Sequence, residues 1–235
     1  MRPTCSALRS ILAVSLCLGI AVPGVVAAQS PASPERLPAV IPVFPLQDAT
    51  LFPNGSYAFY IFEPRYRAMV ADALKGDRII GMAMLEPGHE AEYEGRPPIF
   101  PVGCAGVIAA YEELPGGEYN IVLRGLTKFR IASEDSSRPY RLARVAPVPE
   151  TLDAAEAASL TQDREKIVAL LMELGVEPPS ADVQDAQLVD QLSQHLPIEP
   201  VDRQRLLERD DALARASRVL EVLAQLVNAP ERRGK

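Results

Sequence analysis

The apolar positions of this chain follow two different periods. Over residues 39–150 they form short runs separated by prolines, glycines and an Asn-Gly pair, a pattern typical of strands and tight turns. From Asp153 onward they recur every three or four residues, as on amphipathic helices. The pattern therefore predicts an α+β protein, with a small β-barrel carrying one helix over 39–150 and a helical subdomain over 151–235.

The strands at the start of the barrel carry the strongest local signals. Residues 40–46 form an apolar run interrupted by Pro42 and Pro45, and because proline lacks a backbone donor we expect an edge strand or a bulge. Asn54-Gly55 predicts a turn. The following run, residues 57–62, is apolar at both odd and even positions, which favours a strand covered on both faces.

A helix is predicted after this strand. Pro64 suits its first position, where the missing N–H costs nothing, and Gly76 suits a left-handed residue after its end. Further strands are predicted over 78–85, 102–111, 119–123, 126–132 and 140–148.

The second half predicts four helices that pack on one another and on the barrel. Asp153 and Glu156 have the spacing of a capping box. Pro200 opens the third helix, and Asp210 or Asp211 caps the last. The segments are too broken for the sustained heptads of a coiled coil.

The first 28 residues resemble a secretory signal. Arg2 and Arg9 carry positive charge, residues 11–21 are apolar, and small side chains precede a predicted cleavage after Ala28. An uncleaved membrane anchor is the alternative, but the run is short of the ~20 residues that span a bilayer. We expect a periplasmic or secreted protein with no stable membrane insertion after cleavage. Residues 29–38, rich in proline, are predicted to be a linker.

Cleavage would change the charge and the cysteine content. It leaves 22 basic residues against 31 acidic ones, a net charge of −9, which disfavours nucleic acid because lysine and arginine supply most of that affinity. Only Cys104 remains, in an apolar run, so no intramolecular disulfide is expected. A buried thiol is the simpler interpretation, and a reactive or intermolecular thiol is the alternative.

Catalytic patterns are absent from the sequence. No lysine follows the glycines of a phosphate loop, and no Gly-x-Ser-x-Gly occurs. Lys75, Lys128 and Lys166 have no serine placed beside them by any recognisable motif. His89-Glu90 lacks the second histidine of a zinc-protease helix, which leaves at most a weak cation site in an acidic loop. We expect no enzyme activity, no cofactor and no metal.

Aromatic side chains are the remaining candidates for binding. Phe52, Tyr57, Phe59 and Tyr60 cluster around the Asn-Gly turn, and most should lie in the core. Because a strand alternates its faces, one row could line an exposed groove for extended or unfolded peptide.

Three short segments, which occur in the same order as in the family, resemble the Lon protease N-terminal (substrate-binding) domain family. They are Val43-Phe44-Pro45-Leu46, then Leu51-Phe52-Pro53, then Phe62-Glu63-Pro64-Arg65-Tyr66 within residues 61–67. The stretch from 103 to 131 and the helices after Leu196-Pro197 also look similar, so the resemblance covers roughly residues 37–227.

The resemblance implies a PUA-like β pseudo-barrel followed by an α-helical bundle, with a role in recognising unfolded or tagged polypeptides. Phe62, Glu63, Pro64, Arg65 and Tyr66 would be structural signature residues. The chain stops before the ATPase and serine–lysine peptidase domains of such a protease would begin, which implies a stand-alone, exported, non-catalytic member. Asn54, Ala58 and Tyr60 depart from the residues usual in the family. A small-molecule or complex-assembly module using the barrel pocket is the alternative, and the sequence leaves the oligomeric state open.

Overall fold

The computed structural model describes residues 37–89 and 95–229. The predicted signal peptide, all but two residues of the linker and the acidic stretch from Glu90 to Glu94 lie outside the described residues. The strands are β1 (Val40–Leu46), β2 (Ser56–Ile61), β3 (Ile79–Met84), β4 (Val102–Glu113), β5 (Tyr119–Asp135) and β6 (Arg141–Val148). The helices are α1 (Pro64–Leu74), α2 (Ala154–Glu173), α3 (Asp185–His195), α4 (Pro200–Leu207) and α5 (Ala212–Val227). The α+β prediction is confirmed.

The described chain forms two compact units. The barrel unit comprises the described residues up to 149 together with 200–208, and the helical unit comprises 150–199 and 209–229. The helix α4 therefore belongs with the barrel, although its sequence had placed it in a four-helix unit. Its Gln204, 1% exposed, donates to the carbonyl of Val102 in β4 at 2.9 Å, which explains a buried polar residue on this helix.

The sheet of the barrel unit has the strand order β2-β5-β4-β3-β1-β6 and closes through a β5–β6 pairing. The β1–β3 pair is parallel and the other pairs are antiparallel. Inside, apolar side chains from five strands and from the loop before β4 form one core cluster: Ile41, Val43, Ile79, Ala83, Leu85, Ile99, Ala105, Phe129, Ala143 and Val145. The barrel interior is thus filled by side chains.

One long strand replaces two that the sequence predicts. Residues 119–123 and 126–132 both lie within β5, which runs through Gly125 without a break. Its first part pairs with β2 and its last part with β6, so β5 pairs with the strands at both ends of the sheet order. Gly125 is needed there because the position of a Cβ is taken by the carbonyl of Phe52.

The edge-strand prediction for β1 is wrong. β1 pairs with β6 through residues 40–43 and with β3 through residues 43–46. Pro42 is in register only with β6 and Pro45 only with β3, so each proline has a strand neighbour on one side and its missing N–H is tolerated. Among the described strands, β2 is the one at the edge of the sheet order.

Two further local predictions have opposite outcomes. The capping box at Asp153 and Glu156 is present at the start of α2. Gly76 does not adopt the left-handed conformation, which falls instead on Arg78 at φ 59°. None of the described helices is both long and apolar enough to cross a bilayer.

Candidate functional site

An exposed apolar surface lies on the outer side of β2, β5 and β4. Ala58 is in register with Val122, and Val122 with Ala110, so these three side chains form one row across three strands. Tyr60 and Phe62 continue the surface beyond Ala58, with exposed fractions of 56% and 59%. We call these five residues the β2 face.

The aromatic pair of the β2 face is ordered by its own contact. The rings of Tyr60 and Phe62 stack with centroids 5.8 Å apart and an angle of 29° between their planes. A polar row borders them, in which Asn120 donates to Glu112 at 3.0 Å. The prediction that β2 is covered on both faces is therefore wrong, because β2 lies at the sheet edge and its outer face is exposed.

The four aromatic residues predicted for peptide binding lie in three different environments. Phe52 is completely buried and offers no surface to a ligand. Tyr57 and Phe59 are half-buried on the inner side of β2, with ring centroids 5.7 Å apart. Burial raises the pKa of Tyr57, while the Arg203 cation lowers it. Of the four, Tyr60 alone belongs to the β2 face.

Phe62 was missed as a surface residue because the family signature made it look structural. It stands two residues after Tyr60, on the same side of an extended chain, and that alternation could have identified it. The rest of the signature builds the start of α1. Glu63 precedes the helix, Pro64 is its first residue, and the Glu63 carboxylate pairs with Arg65 at 3.0 Å.

Tyr66 anchors this end of α1 in the barrel unit. It is 4% exposed, its ring meets that of Phe44 edge-on at 4.7 Å, and the guanidinium of Arg65 lies 4.6 Å from its centroid. Phe44 in turn meets Phe59 at 5.4 Å. These ring contacts join β2 to β1 and α1 close in sequence to the exposed aromatic pair.

A buried tyrosine fixes the other end of the same helix. The Tyr140 hydroxyl donates to the carboxylate of Asp72 in α1 at 2.8 Å. This hydrogen bond is the main reason that the pKa of Asp72 is lowered, with further help from Lys75 and Arg138. Burial, and then the Asp72 carboxylate, raise the pKa of Tyr140 to about 12.

The described residues offer little to a metal or a nucleophile. No group of three or more histidine, cysteine or acidic residues within them could hold an ion. His89 is the last described residue before Glu90, so the acidic-loop cation site lies mostly outside them. Cys104 is fully buried, which confirms the expectation of a buried thiol.

Proteins similar in sequence to this chain include Lon proteases from different bacteria. A Lon protease from Anaeromyxobacter dehalogenans is 25% identical over 198 residues, which are 80% of this chain and 23% of that protein. A Lon protease from Cytophaga hutchinsonii is 28% identical over 203 residues, 80% of this chain and 24% of that protein. The chain thus spans about a quarter of the length of these relatives.

Solved structures share the fold. The N-terminal domain of a Mycobacterium avium complex Lon protease superposes with a TM-score of 0.58 at 16% identity, covering 79% of this chain and 98% of that one. A Lon N-terminal domain protein from Xanthomonas campestris gives 0.54 at 21% identity, covering 77% and 97%. The family described as the ATP-dependent protease La (LON) substrate-binding domain matches residues 40–225, and the chain belongs to that family.

Proposed function

We propose that the barrel unit binds unfolded or extended segments of polypeptide on the β2 face and does no chemistry on them. The observation that carries the proposal is the stacked pair Tyr60 and Phe62, two large apolar side chains that are each more than half exposed. Aromatic side chains are enriched among the residues that dominate protein interfaces, because they bury a large area with few torsions to fix.

The position of β2 favours an extended ligand. Within the described strands, β2 has a neighbour on one side only, namely β5. The open edge of a sheet presents backbone donors and acceptors to which an extended segment can add as a further strand. A ligand strand there would place alternate side chains beside Tyr60 and Phe62.

Membership of a substrate-binding family supports a recognition role. A small molecule inside the barrel, or complex assembly through such a pocket, is the weaker candidate, since the interior is occupied by the core cluster around Phe129. Action of the same unit outside the cytosol, as an exported module, is part of our proposal and is supported by the signal-like pattern of residues 1–28.

Binding of a labelled, permanently unfolded protein to the full chain tests the β2 face. Replacing both Tyr60 and Phe62 by serine should weaken binding about tenfold or more, since each 1.4 kcal/mol of lost contact is a factor of ten. Met172→Ser is the control, because Met172 is 60% exposed in the helical unit and its loss removes exposed apolar surface that is not part of the β2 face. Fluorescence anisotropy measures both.

Two results would contradict the proposal. One is the absence of wild-type binding at high micromolar concentration. The other is equal weakening by the serine pair and by Met172→Ser, which would show that any exposed apolar residue contributes alike.

A further inference from the structure

A cleft of about 250 Å³ opens in the barrel unit beside the start of α1. Its lining includes three arginines, Arg65, Arg96 and Arg141, together with Tyr66 and Tyr140, and none of the described residues that line it is acidic. Three cations around one small cleft are unexpected in a chain with a formal net charge of −7. The arrangement calls for a compact anion.

Arg96 is held in place by neutral groups. Its guanidinium donates to the main-chain oxygens of Asp135 at 3.2 Å, Arg138 at 3.0 Å and Tyr140 at 3.5 Å. Across the described chain, no carboxylate lies within ion-pair distance of it. The carboxylate of the neighbouring Asp135 accepts instead from the backbone of Ser137 at 2.7 Å and is solvent-exposed. The orientation of Arg96 is thus fixed by neutral main-chain oxygens, and the Asp135 carboxylate acts on its charge only through space.

The other two arginines are paired with carboxylates. Arg141, 6% exposed, pairs with Glu134 at 2.7 Å and donates to the carbonyl of Pro97. Arg65 pairs with Glu63 at 3.0 Å. Because a guanidinium has five N–H donors, Arg96 and Arg141 still have donors beyond those contacts.

The cleft is small, and its lining residue Arg65 is close in sequence to Phe62 of the β2 face. Drug-sized ligands occupy pockets of about 300–1,000 Å³, so this volume suits a single charged group rather than a whole nucleotide. Arg65 follows Phe62 by three residues, a span of at most about 11 Å. An anion in the cleft would therefore lie within a few residues' reach of the aromatic pair.

We propose that this cleft binds a carboxylate, and that the carboxylate is the C-terminus of a polypeptide whose preceding apolar side chains lie on the β2 face. Three guanidinium groups around one small cleft favour an anion, and arginine forks bind a carboxylate through paired hydrogen bonds. The C-terminus of a chain can enter a small cleft by its end. An acidic side chain within a peptide brings with it the backbone on both sides, which must also fit past the walls of the cleft. The inference rests on the proposed binding of polypeptide.

The test compares two labelled ten-residue peptides with the same apolar C-terminal sequence, one ending in a free carboxylate and one in an amide. The full chain should bind the free acid about tenfold more tightly than the amide. Arg96→Gln and Arg65→Gln should each reduce this ratio toward one while leaving the affinity for the amide unchanged. Arg130→Gln, an exposed arginine of β5 outside the cleft, should leave the ratio intact. Thermal unfolding of each variant verifies that it is folded.

The outcomes separate the two proposals. Equal affinity for acid and amide would overturn the carboxylate site and leave peptide binding on the β2 face standing, whereas failure of both peptides to bind would overturn both. An amidated peptide with one internal glutamate that bound as tightly as the free acid would overturn the assignment to the C-terminus.

Discussion

At the scale of single residues, burial separates side chains that look alike in the sequence. Phe52 and Phe62 stand in similar Phe-Pro and Phe-Glu-Pro contexts, yet one is fully buried and the other is 59% exposed. Arg215 is an amphipathic-helix residue by its spacing, but it is fully buried and forms ion pairs with Glu150 and Asp190. The partners lie 65 and 25 residues away, so no local pattern could indicate them.

Tyr140→Phe should lower the free energy of unfolding by about 1 kcal/mol, because it removes a hydrogen bond to a carboxylate that is partly exposed. The pKa of Asp72 is lowered from 3.8, so its contribution is present above that value and is lost as the pH falls through the folded-state value. The pKa of Tyr140 is raised from 10.0 to about 12, so its contribution is present below pH 10 and is lost as the pH rises toward 12.

The difference in unfolding free energy between wild type and Tyr140→Phe should therefore be constant from about pH 5 to 9 and shrink on both sides. Urea denaturation at several pH values measures it. Tyr111→Phe, which removes a more exposed hydroxyl, is the control and should change stability little. A difference that does not depend on pH would show that the Tyr140–Asp72 hydrogen bond does not contribute.

At the scale of elements, helix starts were readable because they depend on residues within one turn. Pro64 begins α1 and Asp153 caps α2, as the sequence indicates. The continuity of β5 was not readable, because Gly125 resembles a strand break until its close approach to Phe52 is known. The edge position of β2 likewise follows from strand order, which is a non-local property.

Gly125→Ala should destabilise the barrel unit by about 1–3 kcal/mol, since the new Cβ would meet the backbone of Phe52 and lie 3.3 Å from the Cα of Pro53. Gly76→Ala is the matched control, because its Cβ would have only the Ala73 carbonyl at 3.9 Å nearby and its φ is not positive. It should be neutral or slightly stabilising. Thermal unfolding distinguishes the two, and equal melting temperatures for both variants would refute the packing argument at Gly125.

At the scale of the whole molecule, the chain order of the helices does not match their grouping. α4 belongs to the barrel unit, while α2, α3 and α5 form the helical unit, so the chain leaves and re-enters each unit. The helix pattern shows which face of α4 is apolar but cannot show what that face meets.

The proposed export of the protein can be measured directly. We expect the protein produced in its own cells to begin at Gln29 and to lie outside the cytoplasm, because residues 1–28 have the charge and apolar run of a cleaved signal. Mass spectrometry of the intact N-terminus after cell fractionation measures both. Ala28→Asp should block processing, whereas the same change at Ala32, beyond the site, should not. An unprocessed cytoplasmic product from the wild-type gene would refute export.

The sequence alone determined the fold class, the change from strands to helices near residue 150, and most helix starts, because each depends on the period of apolar residues or on contacts within a few positions. It also indicated the family, because short motifs in a fixed order carry that resemblance. The tertiary structure decided which aromatics are exposed, that β2 is the edge strand, and that three arginines share a cleft. Those features depend on which distant strands pair and which side chains they cover, and the hydrophobic period of a segment carries no information about its partner.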